Sequence, residues 1–134
     1  MIAIYNAMAL YGRPQDLDVI TTEFFLFHGM ILGGLGGAGP WSFDSYFDWH
    51  RIPHTGYCDY DSLLQNVSDG DIVVFTVMNS QSDLSQGFHT MAAQYNNGAF
   101  TVYNIYSNMT TSCTLTTLNS VYRDSLWIYG YILK

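Results

Sequence analysis

The first part of the chain carries its apolar residues at helical spacing. Segment 1–11, MIAIYNAMALY, predicts a helix that ends at Gly12 before Pro14, and no Ser, Thr, Asp or Asn precedes it to cap the first amide groups. A second helix is predicted from Asp16 to His28, where the imidazole would lie at the C-terminal end, a favourable place for positive charge. The apolar face of this second helix consists of Leu17, Ile20, Phe24 and Phe27.

Two further helices are predicted before residue 70. Pro40 suits the first turn of a helix over 41–50, WSFDSYFDWH, whose aromatic side chains are expected in the core because aromatics at helical spacing are usually buried. Asp59 or Asp61 is expected to cap a helix over 60–67, YDSLLQNV. The aromatic residues expected in the core are Trp41, Phe43, Tyr46 and Phe47.

After residue 70 the composition becomes that of β-strands. Residues 71–78, DIVVFTVM, and 126–133, LWIYGYIL, are rich in β-branched and aromatic side chains, and the two arms of a hairpin lie between them. A short helix is predicted over 114–122. Helices followed by an antiparallel sheet make an α+β fold, and 134 residues without a linker or repeat fit a single domain over 1–134.

The hairpin around Asn97-Gly98 is expected to bring two polar side chains together. Asn-Gly suits a two-residue type I′ turn, because both central residues of that turn need positive φ. The register of such a turn places Met91 opposite Asn104. Because side chains alternate between the two faces of a sheet, His89 lies on the face of Met91 and is within reach of Asn104.

An imidazole held by a carboxamide is half of a Cys-His-Asn catalytic arrangement. The amide oxygen accepts a hydrogen bond from one ring nitrogen and leaves the other ring nitrogen aimed at a thiol. His89 and Asn104 are therefore the candidate catalytic residues, as the base and the group that orients it. The alternative is a structural histidine that is hydrogen-bonded to a nearby amide.

Charge argues against several classes of partner. Four Lys plus Arg stand against eleven Asp plus Glu, giving a net charge of −7, and the basic residues are scattered. Such a chain cannot neutralise a row of phosphates, so neither nucleic acid nor an anionic membrane surface is an expected partner. No apolar run reaches the roughly 20 residues of a spanning helix, and no signal peptide is present, which favours the cytoplasm.

The cysteines and the other histidines show no comparable catalytic site. Cys58 and Cys113 could form one disulfide, a question that the sequence leaves open, and neither stands at a helix N-terminus where a thiolate would be favoured. His50, His54 and Cys58 have a four-residue spacing suited to metal ligands, but Pro53 interrupts the helix that would align them. No metal and no other cofactor is therefore expected.

The chain resembles bacterial papain-like cysteine peptidases of the bacteriocin-leader-peptidase type in four segments, in the order IAIYNAMALYG, GMILGGLGGAGPWSFDSYF, GFHTMAAQYNNGAFTVYNIYSN and YGYIL. The resemblance covers nearly the whole chain and implies a papain-like fold, with N-terminal helices packed on a C-terminal antiparallel sheet. In that family a Cys near the start of the first helix is the nucleophile, a His that begins a strand is the base, and an Asp or Asn on the next strand orients it. The resemblance thus assigns these last two roles to His89 and Asn104, and implies a peptide or protein substrate.

The chain departs from that family at its start. Members carry the Cys two or more residues before a segment like IAIYNA, and an earlier Gln or Asn helps to stabilise the oxyanion, whereas this chain begins at Met1. Together with the uncapped helix, this predicts a domain that is N-terminally incomplete or a gene that has lost its nucleophile, and a chain that is inactive as given. The expected function is thiol-dependent peptide hydrolysis. The alternatives are an inactive papain-like module that binds a peptide, and an acyltransferase or deamidase that shares the acyl-thioester step.

Overall fold

A computed structural model describes residues 1–30, 38–78, 87–104, 110–114 and 126–134 of the chain. Within these ranges the four predicted helices are confirmed, each within a few residues of its expected bounds. They are α1 (Ile2–Leu10), α2 (Leu17–Glu23), α3 (Pro40–Trp49) and α4 (Tyr60–Asn66). The helix predicted over 114–122 lies outside the described residues except for Thr114, which belongs to a strand.

The local signals at the helix ends act as the sequence predicts. Met1 stands at the N-cap of α1 and makes no side-chain capping bond, and the chain leaves the helix through Gly12 at φ +78°. Pro40 occupies the first turn of α3. Asp59 caps α4, since its carboxylate accepts a hydrogen bond from the amide of Ser62 at 2.7 Å.

Six strands of the described chain form one antiparallel sheet in the order β1-β6-β2-β3-β4-β5. The predicted strands β2, β3, β4 and β6 are confirmed, and the fold is α+β. The two edge strands, β1 and β5, were not predicted from the sequence. The bounds are β1 (His54–Tyr57), β2 (Ile72–Met78), β3 (Phe88–Asn96), β4 (Ala99–Tyr103), β5 (Thr110–Thr114) and β6 (Trp127–Leu133).

The two faces of the sheet carry two separate apolar cores. The α1 core joins α1, α2 and α3 to side chains such as Val74 and Ala92, and the α4 core joins α4 to side chains such as Val73 and Met91. Consecutive residues of β2 and β3 thus alternate between the cores, as the period of two in a strand requires. Of the described helices, none is both long and apolar enough to cross a membrane.

The second predicted helix ends in a way that the sequence pattern did not reveal. After α2 the backbone continues as a π-helical turn over Phe24–His28. Because a π-turn bonds residues five apart instead of four, it moves the buried face forward by one residue. Phe24 is buried as expected, but Phe27 is 60% exposed and His28 takes the buried position.

Trp41 was also wrongly assigned to the core. Its side chain is 68% exposed, whereas Phe43, Tyr46 and Phe47 of the same helix are buried as predicted. Trp41 is the second residue of α3, at the end of the helix that lies beside the mouth of a cavity.

Candidate functional site

The hairpin that carries His89 and Asn104 forms as its turn residues predict. Asn97 and Gly98 have φ of +51° and +78°, the left-handed conformations that a type I′ turn requires. The backbone amide of Asn97 also donates to a carboxylate oxygen of Asp69 at 2.8 Å, which fixes the turn against the segment before β2. The pairing of β3 with β4 follows from this turn and runs to the end of β4.

His89 and Asn104 are hydrogen-bonded to each other, at 2.5 Å between Nε2 and Oδ1. The predicted proximity of the two side chains is therefore confirmed. An amide oxygen can only accept, so Nε2 carries the hydrogen, and in the neutral ring Nδ1 is left with a free lone pair. His89 is half-buried and Asn104 is exposed, so the lone pair of Nδ1 is available to a bound molecule.

The pair lies at an end of the sheet. His89 is the second residue of β3, and Asn104 follows Tyr103, the last residue of β4. By alternation His89 shares the face of Met91, which belongs to the α4 core. His89 nevertheless lines the same cavity as the start of α1, which packs on the opposite face.

That cavity has a volume of about 500 Å³, within the range of about 300–1,000 Å³ that is common for small-ligand sites. It opens between the first turn of α1, the start of α3 and the ends of β3 and β6. Its lining is mostly apolar, and none of the lining side chains is that of Asp, Glu, Lys or Arg. The lining residues are Met1, Ile2, Ala3, Ala38, Gly39, Trp41, Phe43, Thr76, Phe88, His89, Thr90, Asn104 and Ile128.

The first turn of α1 borders the same cavity as the candidate base. Met1, Ile2 and Ala3 line the cavity together with His89. The amide groups of a first helical turn are free of intrahelical partners, and the helix dipole adds a partial positive charge there. The cavity thus combines a helix N-terminus with an oriented imidazole, and this combination favours a negatively charged reacting atom between them.

Two exposed aromatic side chains form the rim of the cavity, and neither was predicted from the sequence as a site residue. Trp41 is 68% exposed and Phe88 is 63% exposed. The Trp41 ring lies flat against Gly39, so a Cβ at that position would stand 2.5 Å from Cε2 of the indole. The Gly-Pro-Trp sequence is the signal that could have located this rim, since glycine permits the close approach of the ring.

The described cysteine lies outside this site. Cys58 is a free, exposed thiol that follows β1, and it does not line the cavity. The side chain of Cys113 lies outside the described residues, but its backbone in β5 pairs with Phe100. Phe100 lies four residues from Asn104 along the hairpin arm, roughly 13 Å at the rise of a β-strand.

The remaining histidines are held in pairwise contacts. Nε2 of His50 lies 2.8 Å from a carboxylate oxygen of Glu23, and Nε2 of His54 lies 3.1 Å from one of Asp44. Within the described ranges, no three His, Cys, Asp or Glu side chains converge on a point where a metal ion could bind.

His28 does not act as the charged residue that the sequence predicts at the end of the second helix. It is buried beneath the rings of Phe24 and Tyr46, and its Nδ1 lies 2.8 Å from Oγ of Ser45. Desolvation by burial lowers the pKa of the imidazole, against the opposing charge of Glu23. The neutral ring is therefore part of the α1 core and not a helix cap.

No known protein family, curated protein sequence or solved structure gives a significant match to this chain. The chemistry of the site therefore has to be inferred from the hydrogen bond between His89 and Asn104, the cavity beside it and the helix end that faces it.

Proposed function

We propose that this chain is a papain-like cysteine peptidase domain that acts on peptide or protein substrates. His89 would be the general base and Asn104 would orient its ring. The observation that carries the proposal is the 2.5 Å hydrogen bond from Nε2 to Oδ1, made by residues that line a cavity together with the first turn of α1. The sequence resemblance to bacteriocin-leader peptidases agrees with this arrangement.

Each group has a defined part in the reaction. Nδ1 of His89 takes the proton of a thiol, and the thiolate attacks the carbonyl carbon of the bound peptide. The imidazolium then returns that proton to the leaving amine as the peptide bond breaks. Water, deprotonated by His89, hydrolyses the thioester and regenerates the thiol. Asn104 keeps the ring in the tautomer that leaves Nδ1 free.

The thiol itself is not among the side chains that the structure describes at the cavity. The proposal therefore requires a cysteine from another part of the polypeptide, placed beside the first turn of α1 where the helix dipole would stabilise its thiolate.

The lack of a cysteine in the described part of the cavity lining favours a second candidate, a catalytically inactive module that binds a peptide. Because no cysteine lines the described part of the cavity, the groove could hold a peptide without cleaving it. In this candidate the His89–Asn104 pair would serve as a hydrogen-bonding group for the ligand. The two candidates share the cavity and differ in whether a thiol reaches it.

Hydrolysis by the protein expressed from its entire reading frame distinguishes the candidates. Peptidase activity on a mixed peptide pool should disappear after alkylation with iodoacetamide, and His89→Ala should lower kcat/KM by roughly 10²–10⁴-fold. Asn104→Ala should reduce it by a smaller factor. Asn66→Ala is the matched control, because Asn66 is an exposed residue of α4 whose amide donates to the Ser62 carbonyl and, in the described part of the chain, does not line the cavity.

The outcomes separate cleanly. Activity that survives His89→Ala would refute the catalytic assignment. Peptide binding without hydrolysis, in a reading frame that supplies no further cysteine, would establish the binding module. As a check on geometry, imidazole ¹⁵N shifts of the 134-residue chain should show a hydrogen on Nε2 of His89, and this preference should weaken in Asn104→Ala.

A further inference from the structure

Two threonine hydroxyls lie in the described cavity wall, apart from the first turn of α1, the Trp41 indole and the His89–Asn104 pair. Thr76 of β2 and Thr90 of β3 are directly opposite each other in the sheet, and their Oγ1 atoms are 2.9 Å apart. Both residues line the cavity, and Thr76 is only 4% exposed. A pair of hydroxyls is thus held in a wall that is mostly apolar.

The hydrogen-bond count of this pair is incomplete. One hydroxyl donates to the other, which uses one of the two available hydrogens. Within the described residues neither Thr76 nor Thr90 has a further side-chain partner, so one O–H is left to donate. Thr76 is buried and Thr90 is half-buried, so the spare O–H lies at the cavity wall, where a ligand with an acceptor oxygen can take its hydrogen bond.

The rest of the lining determines which chemical groups can enter the cavity next to that acceptor oxygen. A charged group entering the cavity would lose its hydration and meet no Asp, Glu, Lys or Arg side chain among the described lining residues. Apolar surface, in contrast, would be buried against residues such as Phe43, Ile128 and the ring of Trp41. Away from His89 and the first turn of α1, the lining therefore favours an uncharged, apolar group next to one hydrogen-bond acceptor.

We propose that the Thr76–Thr90 hydroxyl pair binds a backbone carbonyl oxygen of a peptide whose adjacent side chain is large, apolar and uncharged. That the ligand is a peptide rests on the proposed function. His89 lines the same cavity as Thr76 and Thr90, so the anchored residue lies close to the bond that His89 would act on. The hydroxyl pair is thereby a specificity-determining element of the site, and not part of the proton transfer.

Titration of the 134-residue chain with three capped tripeptides tests this proposal. The probes are acetyl-Ala-Phe-Ala-amide and the same peptide with Asp or Lys in place of Phe, followed by chemical shifts of the backbone amides. The Phe peptide should bind at least about tenfold more tightly than either charged peptide, a difference of about 1.4 kcal/mol. The amides of Thr76 and Thr90 should be among those that shift.

Removing one hydroxyl should weaken the binding of the Phe peptide. Thr90→Val keeps the shape and the β-branch, and it should raise Kd by about threefold to tenfold, as expected for one hydrogen bond. Thr76→Ser, which retains the hydroxyl in the more buried position, should bind nearly as well as the parent chain. Thr101→Val is the matched control, since Thr101 is a half-buried residue of β4 opposite Gln94 that does not line the cavity.

Several results would overturn the inference: no binding of the Phe peptide, equal binding of the charged peptides, or equal loss in Thr90→Val and Thr101→Val. The outcome of the hydrolysis assay is independent of the outcome of this binding titration. If the Phe peptide binds with these preferences but the whole reading frame cleaves nothing, the peptidase proposal falls and the ligand class stands. If hydrolysis depends on His89 while cleavage is indifferent to charge and to Thr90→Val, the catalytic proposal stands and this inference is wrong.

Discussion

Replacing Gly130 with alanine should cost much of the stability of the chain, because there is no room for one more methyl group at this point of the sheet. Gly130 lies in β6, between Tyr57 of β1 and Phe75 of β2. A Cβ there would overlap the Cζ2 atom of Trp127 and stand 2.8 Å from Cδ1 of Leu63. The substitution therefore forces a displacement within the α4 core.

The neighbours of Gly130 have little freedom to move. Trp127 is 5% exposed and stacks on Phe75, with ring centroids 5.5 Å apart and an interplanar angle of 4°. Leu63 has no exposed surface. Overpacking of a dense core typically costs about 1–3 kcal/mol, and two fixed neighbours place this site at the upper end. Alanine loses less backbone entropy than glycine on folding, which offsets roughly 0.5–1 kcal/mol of this cost. The net destabilisation should therefore be about 2 kcal/mol.

Gly56→Ala provides the matched control on the neighbouring strand. A Cβ at Gly56 would overlap the hydroxyl of Tyr129 and stand 2.6 Å from its Cε1, but that side chain is half-exposed and can swing outwards. The expected cost is within about 0.5 kcal/mol, as for most surface changes.

Urea unfolding, followed by tryptophan fluorescence and circular dichroism, measures both variants. With an m-value of about 2 kcal/mol/M, Gly130→Ala should lower the midpoint by about 1 M, and Gly56→Ala should leave it almost unchanged. Equal shifts in the two variants, or a Gly130→Ala midpoint within about 0.2 M of the parent, would show that the packing argument is wrong.

Two predictions concern pH. Burial lowers the pKa of His28 in the folded chain, so the unfolded chain binds a proton first as the pH falls below about 6.5, and stability should fall there. His28→Asn, whose amide replaces Nδ1, should lose less stability between about pH 7.5 and 5.5 in urea titrations at each pH; equal losses would contradict the assignment. Burial, with a smaller effect from Asp61, raises the pKa of Tyr60 to about 12. The unfolded chain therefore releases this proton first, and stability should decline above about pH 10 by up to roughly 1.4 kcal/mol per pH unit from this residue, less in Tyr60→Phe.

The hairpin and the helix ends were predictable because their causes are local. The Asn97-Gly98 turn fixes the register of β3 and β4 without help from the rest of the molecule, and the period of two then places His89 beside Asn104. The cap at Asp59 and the helix start at Pro40 likewise depend only on the residues that follow them. The α+β class follows from the order of these elements along the chain.

The edge strands could not be read from the sequence. β1 is HTGY and β5 is TTSCT, and neither shows the run of apolar residues that identifies a strand with two neighbours. Each is held by one partner strand, β6 for β1 and β4 for β5. Such pairing depends on where distant segments come to lie, which no local pattern encodes.

Some features of the site follow from the sequence, and others only from the tertiary structure. Local turn chemistry determined the bond between His89 and Asn104. Only the folded chain could show that this bond lies beside a cavity closed by α1, or that Trp41 stands at its rim and not in the core. The π-turn that buries His28 in place of Phe27 is also determined by tertiary structure, because it depends on the packing partners of α2 as well as on the helical period. Periodicity fixes which side chains share a face of one element, and packing decides which elements those faces meet.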